Sequence, residues 1–447
     1  MKTYEKYKKT NQIWLNSIPE QWNIQRIKTL FDLRDERNYS PLSEVNLISL
    51  YTDVGVRRHS DIEHTTGNIA RNAEGYKIVH QNDIIVNILL CWMGAIGCSD
   101  YNGVTSPAYD IYKPKFGINS YYYHYLFRTP MFSQQCYKVG KGIMSMRWRT
   151  YSPQFRNIKV PVPPRGEQDQ IVRFLDWKVS CINKLIKIKK KEIETLKELK
   201  KRIVSHAVTK GIRVKTKVEP LENSNKSHNE ITLKYSGIKW IGEIPSHWNI
   251  HKVKHFMIIE HGSDPEKEGD VPVYGSGTSI IKTCGEYKKG PAVLLGRKGS
   301  IKNPQYIEGL YWNVDTAFNA YPRNEFFDIN YFYYLSTCFD YDYYTTQTAI
   351  PSMRQTDYKN IYIPYPPLEE QKEIVSYLDK NCKKIDLETS KIESIIETLT
   401  EFKTRLISDV VTGKIDVRDI EIPEYEFVAE EQTEPSTDTE QIEEQED

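Results

Sequence analysis

Two loops of the chain combine cationic or amide side chains with a place in the sequence that suggests ligand contact. Residues 138–149 set glycines beside lysine and arginine, and residues 346–355 occupy the corresponding place in a second copy of the same region, described below. Lys and Arg neutralise phosphates, and Arg, Lys, Asn and Gln read base edges in the major groove of DNA. Both loops are therefore candidates for contact with a polyanion, of which double-stranded DNA is one that such side chains can read. The candidate residues are Lys141, Arg147, Arg149, Gln347, Arg354 and Gln355.

A third loop and two polar stretches supply further candidates. Residues 296–300 read Gly-Arg-Lys-Gly-Ser, whereas their counterpart, residues 91–95, is apolar. Arginines also stand in polar segments of the first copy. Solvation at the protein surface is the default explanation for any one such side chain, so the prediction is stronger for the loops than for single residues. These further candidates are Arg57, Arg58, Arg71, Arg297 and Lys298.

The sequence contains no recognisable catalytic motif. Residues 296–300 are too short for a GxxxxGK[ST] phosphate-binding loop. Residues 303–306, Asn-Pro-Gln-Tyr, resemble the Asn-Pro-Pro-Tyr motif of amino-methyltransferases but have glutamine in third place, and no glycine-rich cofactor loop accompanies them. The Ser, His and Cys residues show no spacing typical of a nucleophile or a metal centre. We expect a binding protein with no catalytic residue, metal or cofactor of its own.

The elements that must position the candidate loops occur twice. Residues 18–24 recur as residues 244–250 with a shared Ile-Pro-x-x-Trp-Asn-Ile pattern, and residues 163–168 recur as 366–371 with a shared Pro-Pro-x-x-Glu-Gln pattern. Each Pro-Pro phrase opens a long helical stretch. The segments between the shared phrases differ in sequence. One scaffold that presents two different surfaces is typical of a protein that reads two unlike targets.

Both helical stretches carry a narrow apolar stripe at spacings of three, four and seven residues, which is typical of a coiled coil. Residues 167–215 have a formal charge of +8, and residues 369–418 have a charge of −2, which favours pairing between the two helices. Antiparallel pairing keeps the globular regions apart. Parallel pairing would require residues 215–235 to return the full helix length, so geometry favours the antiparallel form without forcing it.

Charge is unevenly distributed along the 447 residues. The formal net charge is +1, but residues 419–447 contain thirteen acidic and no basic residues, so residues 1–418 have a charge of +14. A basic body suggests a polyanionic partner. The acidic end is too poor in apolar residues to fold, and we expect it to be disordered, either a solubilising end or a weak competitor for the DNA surface.

Cysteine usage and hydropathy indicate the compartment. Seven cysteines are scattered without a CxxC pair, the first twelve residues lack an apolar core, and the longest apolar run, residues 84–96, is too short to cross a bilayer. The sequence therefore predicts a reduced, cytoplasmic protein with no membrane partner.

Several phrases together resemble the DNA specificity subunits of type I restriction–modification enzymes. They are the two Ile-Pro-x-x-Trp openings, the two Pro-Pro-x-x-Glu-Gln helix starts, residues 406–416, and the mid-domain phrases at residues 103–109 and 312–318. Each phrase alone is weak, but their order and duplication are specific. The resemblance spans almost all of the chain before Asp419, and it does not explain the acidic extension.

The resemblance implies a non-catalytic subunit with two target recognition domains, each reading one half of a bipartite, asymmetric DNA target. It also implies a helical spacer that docks two methyltransferase subunits, and separate restriction subunits that translocate and cut. S-adenosylmethionine, ATP and Mg²⁺ would then be bound by the partner subunits and not by this chain.

The predicted fold is α+β, with two mixed α/β target recognition domains in tandem repeat. Two long helices join them and form an antiparallel coiled coil with pseudo-twofold symmetry. The predicted boundaries are 1–165 for the first recognition domain, 166–212 for the first spacer helix, 213–238 for a linker, 239–367 for the second recognition domain, 368–418 for the second spacer helix and 419–447 for an acidic disordered tail.

Two alternatives remain open at this point. One is a coiled-coil scaffold with two domains that bind something other than nucleic acid. The other is a free-standing DNA-modifying enzyme, which the missing cofactor and nucleotide motifs disfavour. The charge of +14 on the body and the basic glycine-rich loops favour the DNA-binding interpretation over the scaffold.

Overall fold

The computed structural model describes residues 2–52, 54–61, 72–142, 148–213, 232–345 and 350–430. The chain forms two compact units. Unit 1 comprises residues 1–190 and 394–447, and unit 2 comprises residues 191–393. Each unit therefore combines one globular region with part of each long helix. Three of the predicted contact residues lie outside the described residues: Arg71, Arg147 and Gln347.

The strands and helices of unit 1 follow the short apolar runs of the sequence. Ile84-Ile85-Val86 forms an interior strand that is buried on both faces, as a run of β-branched residues predicts. The strands are β1 Tyr7–Gln12, β2 Leu15–Pro19, β3 Asn23–Arg26, β4 Phe31–Arg34, β5 Ile48–Tyr51, β6 Gly55–Arg58, β7 Lys77–Val79, β8 Ile84–Asn87, β9 Ile96–Cys98, β10 Gly103–Thr105, β11 Tyr109–Pro114 and β12 Lys159–Val162. The helices are α1 Ile27–Leu30, α2 Ser120–Phe127, α3 Pro130–Val139, α4 Ser152–Phe155 and α5 Arg165–Lys210, the last of which continues into unit 2.

The central sheet of unit 1 is antiparallel, in the order β4-β11-β8-β9. Its core includes the aromatic helix α2, where Tyr122, Tyr123 and Phe127 are fully buried. This tyrosine-rich segment therefore packs inside the fold. Strands β3 and β12 pair with each other, so the globular region begins and ends at one place, directly before α5.

Unit 2 repeats this plan. Its strands are β13 Leu233–Tyr235, β14 Glu243–Pro245, β15 Asn249–Lys252, β16 Met257–His261, β17 Val271–Tyr274, β18 Ile280–Cys284, β19 Lys288–Lys289, β20 Ala292–Gly296, β21 Gln305–Ile307, β22 Leu310–Asn313, β23 Ala317–Pro322 and β24 Tyr362–Tyr365. Its helices are α6 Ile329–Ser336, α7 Tyr341–Tyr344, α8 Gln355–Asn360 and α9 Leu368–Val411, the last of which continues into unit 1.

The central sheet of unit 2 has the order β16-β23-β20-β21, which matches the sheet of unit 1 strand for strand. Strands β15 and β24 close the region as β3 and β12 do. The units differ outside this frame. Unit 2 has a further sheet, β18-β17-β22-β19, where unit 1 has the hairpin β5–β6 and the pair β7–β10. The duplicated scaffold with dissimilar additions agrees with the tandem repeat predicted from the sequence.

The recurring sequence phrases form the same contact in both units. The Trp22 indole N–H donates to the Glu167 carboxylate at 2.9 Å, and the Trp248 indole N–H donates to the Glu370 carboxylate at 3.0 Å. Both indoles are fully buried. A charge-assisted hydrogen bond therefore fixes the opening phrase of each globular region to the first turn of the long helix that follows it.

The two long helices pack antiparallel within each unit, as predicted. In unit 2, Lys200 pairs with Asp386 at 2.7 Å and Arg213 pairs with Glu373 at 2.7 Å. The later residue of the first segment thus meets the earlier residue of the second, as in an antiparallel pair. In unit 1, the start of α5 and the end of α9 both meet Trp22: Glu167 accepts its N–H, and a Cβ on Gly413 would lie 3.0 Å from its ring.

The long helices end slightly earlier than expected. The predicted ends were residues 212 and 418, but α5 ends at Lys210 and α9 at Val411. The backbone of Gly211 (φ 74°) and Gly413 (φ 75°) is left-handed, a conformation that commonly terminates a helix. No helix among the described residues is long and apolar enough to cross a membrane.

The segment after α9 departs from the prediction of a disordered tail. Residues 417–430, called the strap below, pack on unit 1. Val417 is fully buried, Ile420 and Ile422 pack against the main core, and the Ser180 hydroxyl bonds the strap backbone. The prediction is therefore wrong for residues 419–430, because a few well-placed apolar residues and backbone contacts secure an otherwise acidic segment. Residues 431–447 lie outside the described part of the chain.

Candidate DNA interface

Two of the loops predicted to contact DNA meet in unit 2. Residues 297–300 and 350–354 are far apart in sequence, but Met353 N–H donates to the Arg297 carbonyl at 3.0 Å and Gly299 N–H donates to the Pro351 carbonyl at 2.9 Å. Gly299 has φ 78°, a backbone conformation that favours glycine. These two segments, together with residues 275–277, form the unit 2 loop cluster.

The third segment of the unit 2 loop cluster was not predicted from the sequence. Ser276 N–H donates to the Thr316 hydroxyl at 3.4 Å, while the Thr316 carbonyl accepts the Arg297 N–H at 2.8 Å. Gln305 also donates from its side chain to the Gly275 carbonyl at 2.9 Å. Residues 275–277 read Gly-Ser-Gly, which offers backbone and hydroxyl groups but no charge. Cationic side chains therefore could not indicate this segment in the sequence.

The cations of the unit 2 loop cluster are accessible but differ in their partners. Lys298 is exposed. The Arg297 guanidinium contacts the Asp315 carboxylate at 3.1 Å and is half-buried. Arg354 forms two hydrogen bonds with Asp357, while 82% of its side chain remains exposed. Each arginine thus pairs with a neighbouring carboxylate at the surface.

Gln355 occupies a different position from the one expected of a base-reading residue. Its side-chain amide donates to the Ile259 carbonyl of β16 at 2.7 Å and is partly buried. The contact joins the start of α8 to the central sheet. We interpret Gln355 as a residue that positions the neighbouring loop. The Asn-Pro-Gln-Tyr segment likewise belongs to the framework, since its Gln305 lies in β21 and is buried.

Unit 1 contains an equivalent loop cluster, residues 88–94, 140–142 and 148–150. Lys141 and Arg149 exchange two backbone hydrogen bonds of 2.9 Å, so these predicted contact residues lie side by side. Thr150 N–H donates to the Ile88 carbonyl at 2.9 Å, in the place where unit 2 has the bond from Met353 to Arg297. Lys141 is exposed and Arg149 is half-buried.

Aromatic side chains support the unit 1 loop cluster, a feature that the predicted cationic residues did not indicate. Tyr137 stacks on Trp148 with ring centroids 4.8 Å apart, and Trp92 lies 5.7 Å from Tyr137. The Trp148 indole N–H donates to the Tyr137 carbonyl at 2.9 Å. A Cβ on Gly140 would lie 2.4 Å from that indole nitrogen, so glycine is required for this close approach. The tryptophans were visible in the sequence, but their contact was not.

Arg57 and Arg58 lie on β6, beside α2. The Arg58 guanidinium lies 4.5 Å from the centre of the Tyr101 ring. Arg57 lines a cavity of about 540 Å³ that also includes His124 and Arg128. Burial, with the positive charges of Arg128 and Arg57, lowers the pKa of His124 to about 3. We interpret Arg57 as part of this cavity wall, whereas Arg58 is exposed.

The two loop clusters have the same construction and different surfaces. In each unit, the loop before α4 or α8 is hydrogen-bonded to the loop that follows β8 or β20. The presented side chains differ: Lys141 and Arg149 with an aromatic stack in unit 1, and Arg297, Lys298 and Arg354 in unit 2. Such cations can neutralise phosphates or donate to base acceptors. Among the described residues, no cluster of His, Cys, Asp and Glu has metal-ligand geometry.

Comparison with known proteins agrees with this architecture. The family model for the type I restriction modification DNA specificity domain matches residues 19–198 and 245–397, one match for each globular region with the helical stretch that follows. The matched segments cover well over half of the chain. The chain therefore belongs to this family.

Curated relatives extend over the same length. The putative type I restriction enzyme MjaX specificity subunit of Methanocaldococcus jannaschii is 26% identical over 475 residues, which cover 93% of this chain and 97% of the relative. The type I restriction enzyme MjaVIII specificity subunit of the same organism is 24% identical, with coverage of 90% and 95%. The protein is thus a DNA-recognition subunit of the type I restriction class, the non-catalytic component of such systems.

One solved structure has a similar fold. It comes from work on the structural basis of complex assembly and conformational transition of the type I R-M system. The match covers 89% of this chain and 99% of that chain, with a TM-score of 0.65 and 14% sequence identity. At this identity the likeness concerns the fold alone.

Proposed function

We propose that the protein reads a bipartite, asymmetric DNA target, with one half read by the loop cluster of each unit. The residues proposed to contact DNA are Arg58, Lys141, Arg149, Arg297, Lys298 and Arg354, together with Arg71, Arg147 and Gln347 from outside the described residues. Arg57 is proposed to form part of the cavity wall beside α2, and Gln355 is proposed to position the loop before α8.

One observation carries this proposal. The backbone hydrogen bond from Thr150 to Ile88 recurs as the bond from Met353 to Arg297, so one framework holds both clusters, while the side chains on them differ. A duplicated framework with unlike side chains supports two readouts of different sequence. The asymmetry of the target follows from the asymmetry of the loops.

The proposal extends to partners. The chain would bind double-stranded DNA together with two methyltransferase subunits, which dock on the helices. Restriction subunits that translocate and cut the DNA would join this complex. S-adenosylmethionine, ATP and Mg²⁺ would be bound by those subunits. The proposed location is the cytoplasm, where such partners and the DNA are found together.

Salt dependence of DNA affinity tests the loop assignment. Each phosphate contact adds about 0.9 to the slope of log affinity against log salt. In the complex with its methyltransferase partner, the Arg297→Ala/Lys298→Ala variant is expected to lower that slope by about 1 to 2. Lys372→Ala removes an exposed lysine from α9 that pairs with Glu369, and it serves as the matched control with an unchanged slope. An unchanged slope for the loop variant would contradict the assignment.

A further inference from the structure

The helix pair differs between the units at one equivalent ion pair. Within the long helices, the repeat relates residues 203 positions apart, as Glu167 and Glu370 show. In unit 2, Lys200 pairs with Asp386 at 2.7 Å, so both charges lie on the two helices. The equivalent residues in unit 1 are Lys403 and Asn183, which are 3.4 Å apart. The helix pair of unit 1 therefore lacks the carboxylate that its counterpart has.

The strap supplies the missing carboxylate. Glu430 forms an ion pair with Lys403, whose side chain is 10% exposed. A buried ammonium is costly unless a charged partner accompanies it. Asn183, in turn, donates from its side-chain amide to the Val428 carbonyl at 3.2 Å. Asn183 thus leaves Lys403 without a carboxylate on the helices, and it also binds the segment whose Glu430 neutralises Lys403.

A second position strengthens this difference. The Ser180 hydroxyl donates to the Glu426 carbonyl at 2.9 Å and accepts the Val428 N–H at 2.7 Å. Ser180 is 1% exposed, so the strap covers it. Its equivalent in unit 2 is Lys383, which is exposed and has no acceptor for a backbone N–H. Asp386 likewise has no donor for a carbonyl such as that of Val428.

We propose that Ser180 and Asn183 make the helix pair of unit 1 a receptor for an extended acidic segment, which the chain itself supplies as the strap. Lys383 and Asp386 exclude such a segment from the equivalent face of unit 2. Recognition combines backbone hydrogen bonds, the ion pairs of Glu426 with Lys184 and of Glu430 with Lys403, and the apolar residues Ile420 and Ile422.

This inference goes beyond the proposed function, because it concerns the helices and not the DNA-reading loops. The strap gives unit 1 a helical face that is chemically unlike its counterpart in unit 2. A partner that docks on the helices would meet the strap on one of the two faces. The inference stands on intramolecular contacts and can hold or fail whether or not the chain binds DNA.

Amide hydrogen exchange of the full-length chain, measured by mass spectrometry, tests the proposal. In the Asn183→Asp variant, a carboxylate replaces the amide that donates to the Val428 carbonyl. The same carboxylate neutralises Lys403 from within the helix pair, as Asp386 neutralises Lys200 in unit 2. Exchange of strap amides around Val428 is expected to accelerate about tenfold or more, the effect of losing one or two such contacts. The core strand β8 should keep its protection.

Two further variants make the result decisive. Ser180→Val removes both hydroxyl bonds to the strap without altering charge, and it should accelerate strap exchange to a similar extent. Asp386→Asn, the matched change in unit 2, should leave strap exchange unchanged. The proposal is overturned if Asn183→Asp and Ser180→Val leave strap exchange at its original rate, or if Asp386→Asn accelerates it equally.

Discussion

At the residue scale, the buried pairing of an indole with a carboxylate explains why the same two phrases recur in the chain. Glu167 accepts hydrogen bonds from both Trp22 and Tyr4. The sequence showed that Trp and Glu are repeated, but it did not show that they touch, because some 145 residues separate the two partners. Residue type predicted that Gln355 contacts DNA, and in the structure its side-chain amide donates to the backbone of the sheet.

Substituting Glu167 tests this account of the repeat. Glu167→Gln replaces the charged acceptor with a weaker one and adds a donor that has no defined partner, so unit 1 should lose about 1 to 3 kcal/mol of stability. Protection of the unit 1 core against hydrogen exchange measures the loss. Glu370→Gln is the matched variant and should affect unit 2 instead. Equal loss in both units from either variant would show that the contact is not local.

His124 predicts a pH dependence of unit 1. Its pKa is lowered to about 3 in the fold, against about 6.5 in the unfolded chain, so the unfolded state binds the extra proton between those values. The contribution of neutral His124 to the unfolding free energy is therefore fully present above pH 6.5, and it is lost as the pH falls towards 3. Because part of the side chain is exposed, we expect a loss of about 1 kcal/mol at pH 5.

The comparison of the wild-type chain with His124→Gln isolates this effect. The variant should show a smaller decline in the unfolding free energy of unit 1 between pH 7 and pH 5, measured by denaturant titration at each pH. Other titrating groups contribute to both proteins and cancel in the difference. If the two proteins decline in parallel, protonation of His124 is not coupled to unfolding.

At the element scale, the sequence predicted the long helices, which follow from a periodic apolar pattern. It missed the docking of the strap, which depends on contacts between distant segments. The apolar stripes of α5 and α9 predicted long antiparallel helices, and the structure agrees. Residues 419–430 of the strap were predicted to be disordered, because acidic composition gives no sign of the contacts that Ser180, Asn183 and Lys403 make with them. The sequence identified the loops that carry Lys141, Arg149, Arg297 and Lys298, whose contact with DNA stays a prediction. It did not indicate the supporting stack of Tyr137 and Trp148.

The long helices offer a test of the spacer role. Inserting four residues after Lys190 in α5 and four before Ser394 in α9 lengthens each by about 6 Å at 1.5 Å per residue. Because DNA rises about 3.4 Å per base pair, we expect the gap between the half-sites to grow by one or two base pairs. Sequencing of methylated sites in cells that express the variant with its methyltransferase measures the gap. A change in the bases read, with an unaltered gap, would show that the helices do not set the spacing.

At the scale of the whole molecule, one framework appears twice with different loops. The family match, the repeated sheet order and the equivalent hydrogen bonds all describe this duplication. The sequence predicted the duplication because the framework phrases are shared. It could not predict the half-sites, because the bases read depend on the geometry of side chains in the loops and on the deformability of the DNA.

The exchange of one globular region tests the central claim most directly. Strands β3 and β12 pair with each other at the two ends of the unit 1 region, so replacing residues 27–158 with the corresponding region of another family member keeps both junctions on the shared framework. Methylated sites would then be sequenced in cells that express the exchanged chain with its methyltransferase. The account predicts a bipartite motif in which one half is new and the other half and its methylation are unchanged. A motif altered in both halves, or unaltered in both, would contradict it.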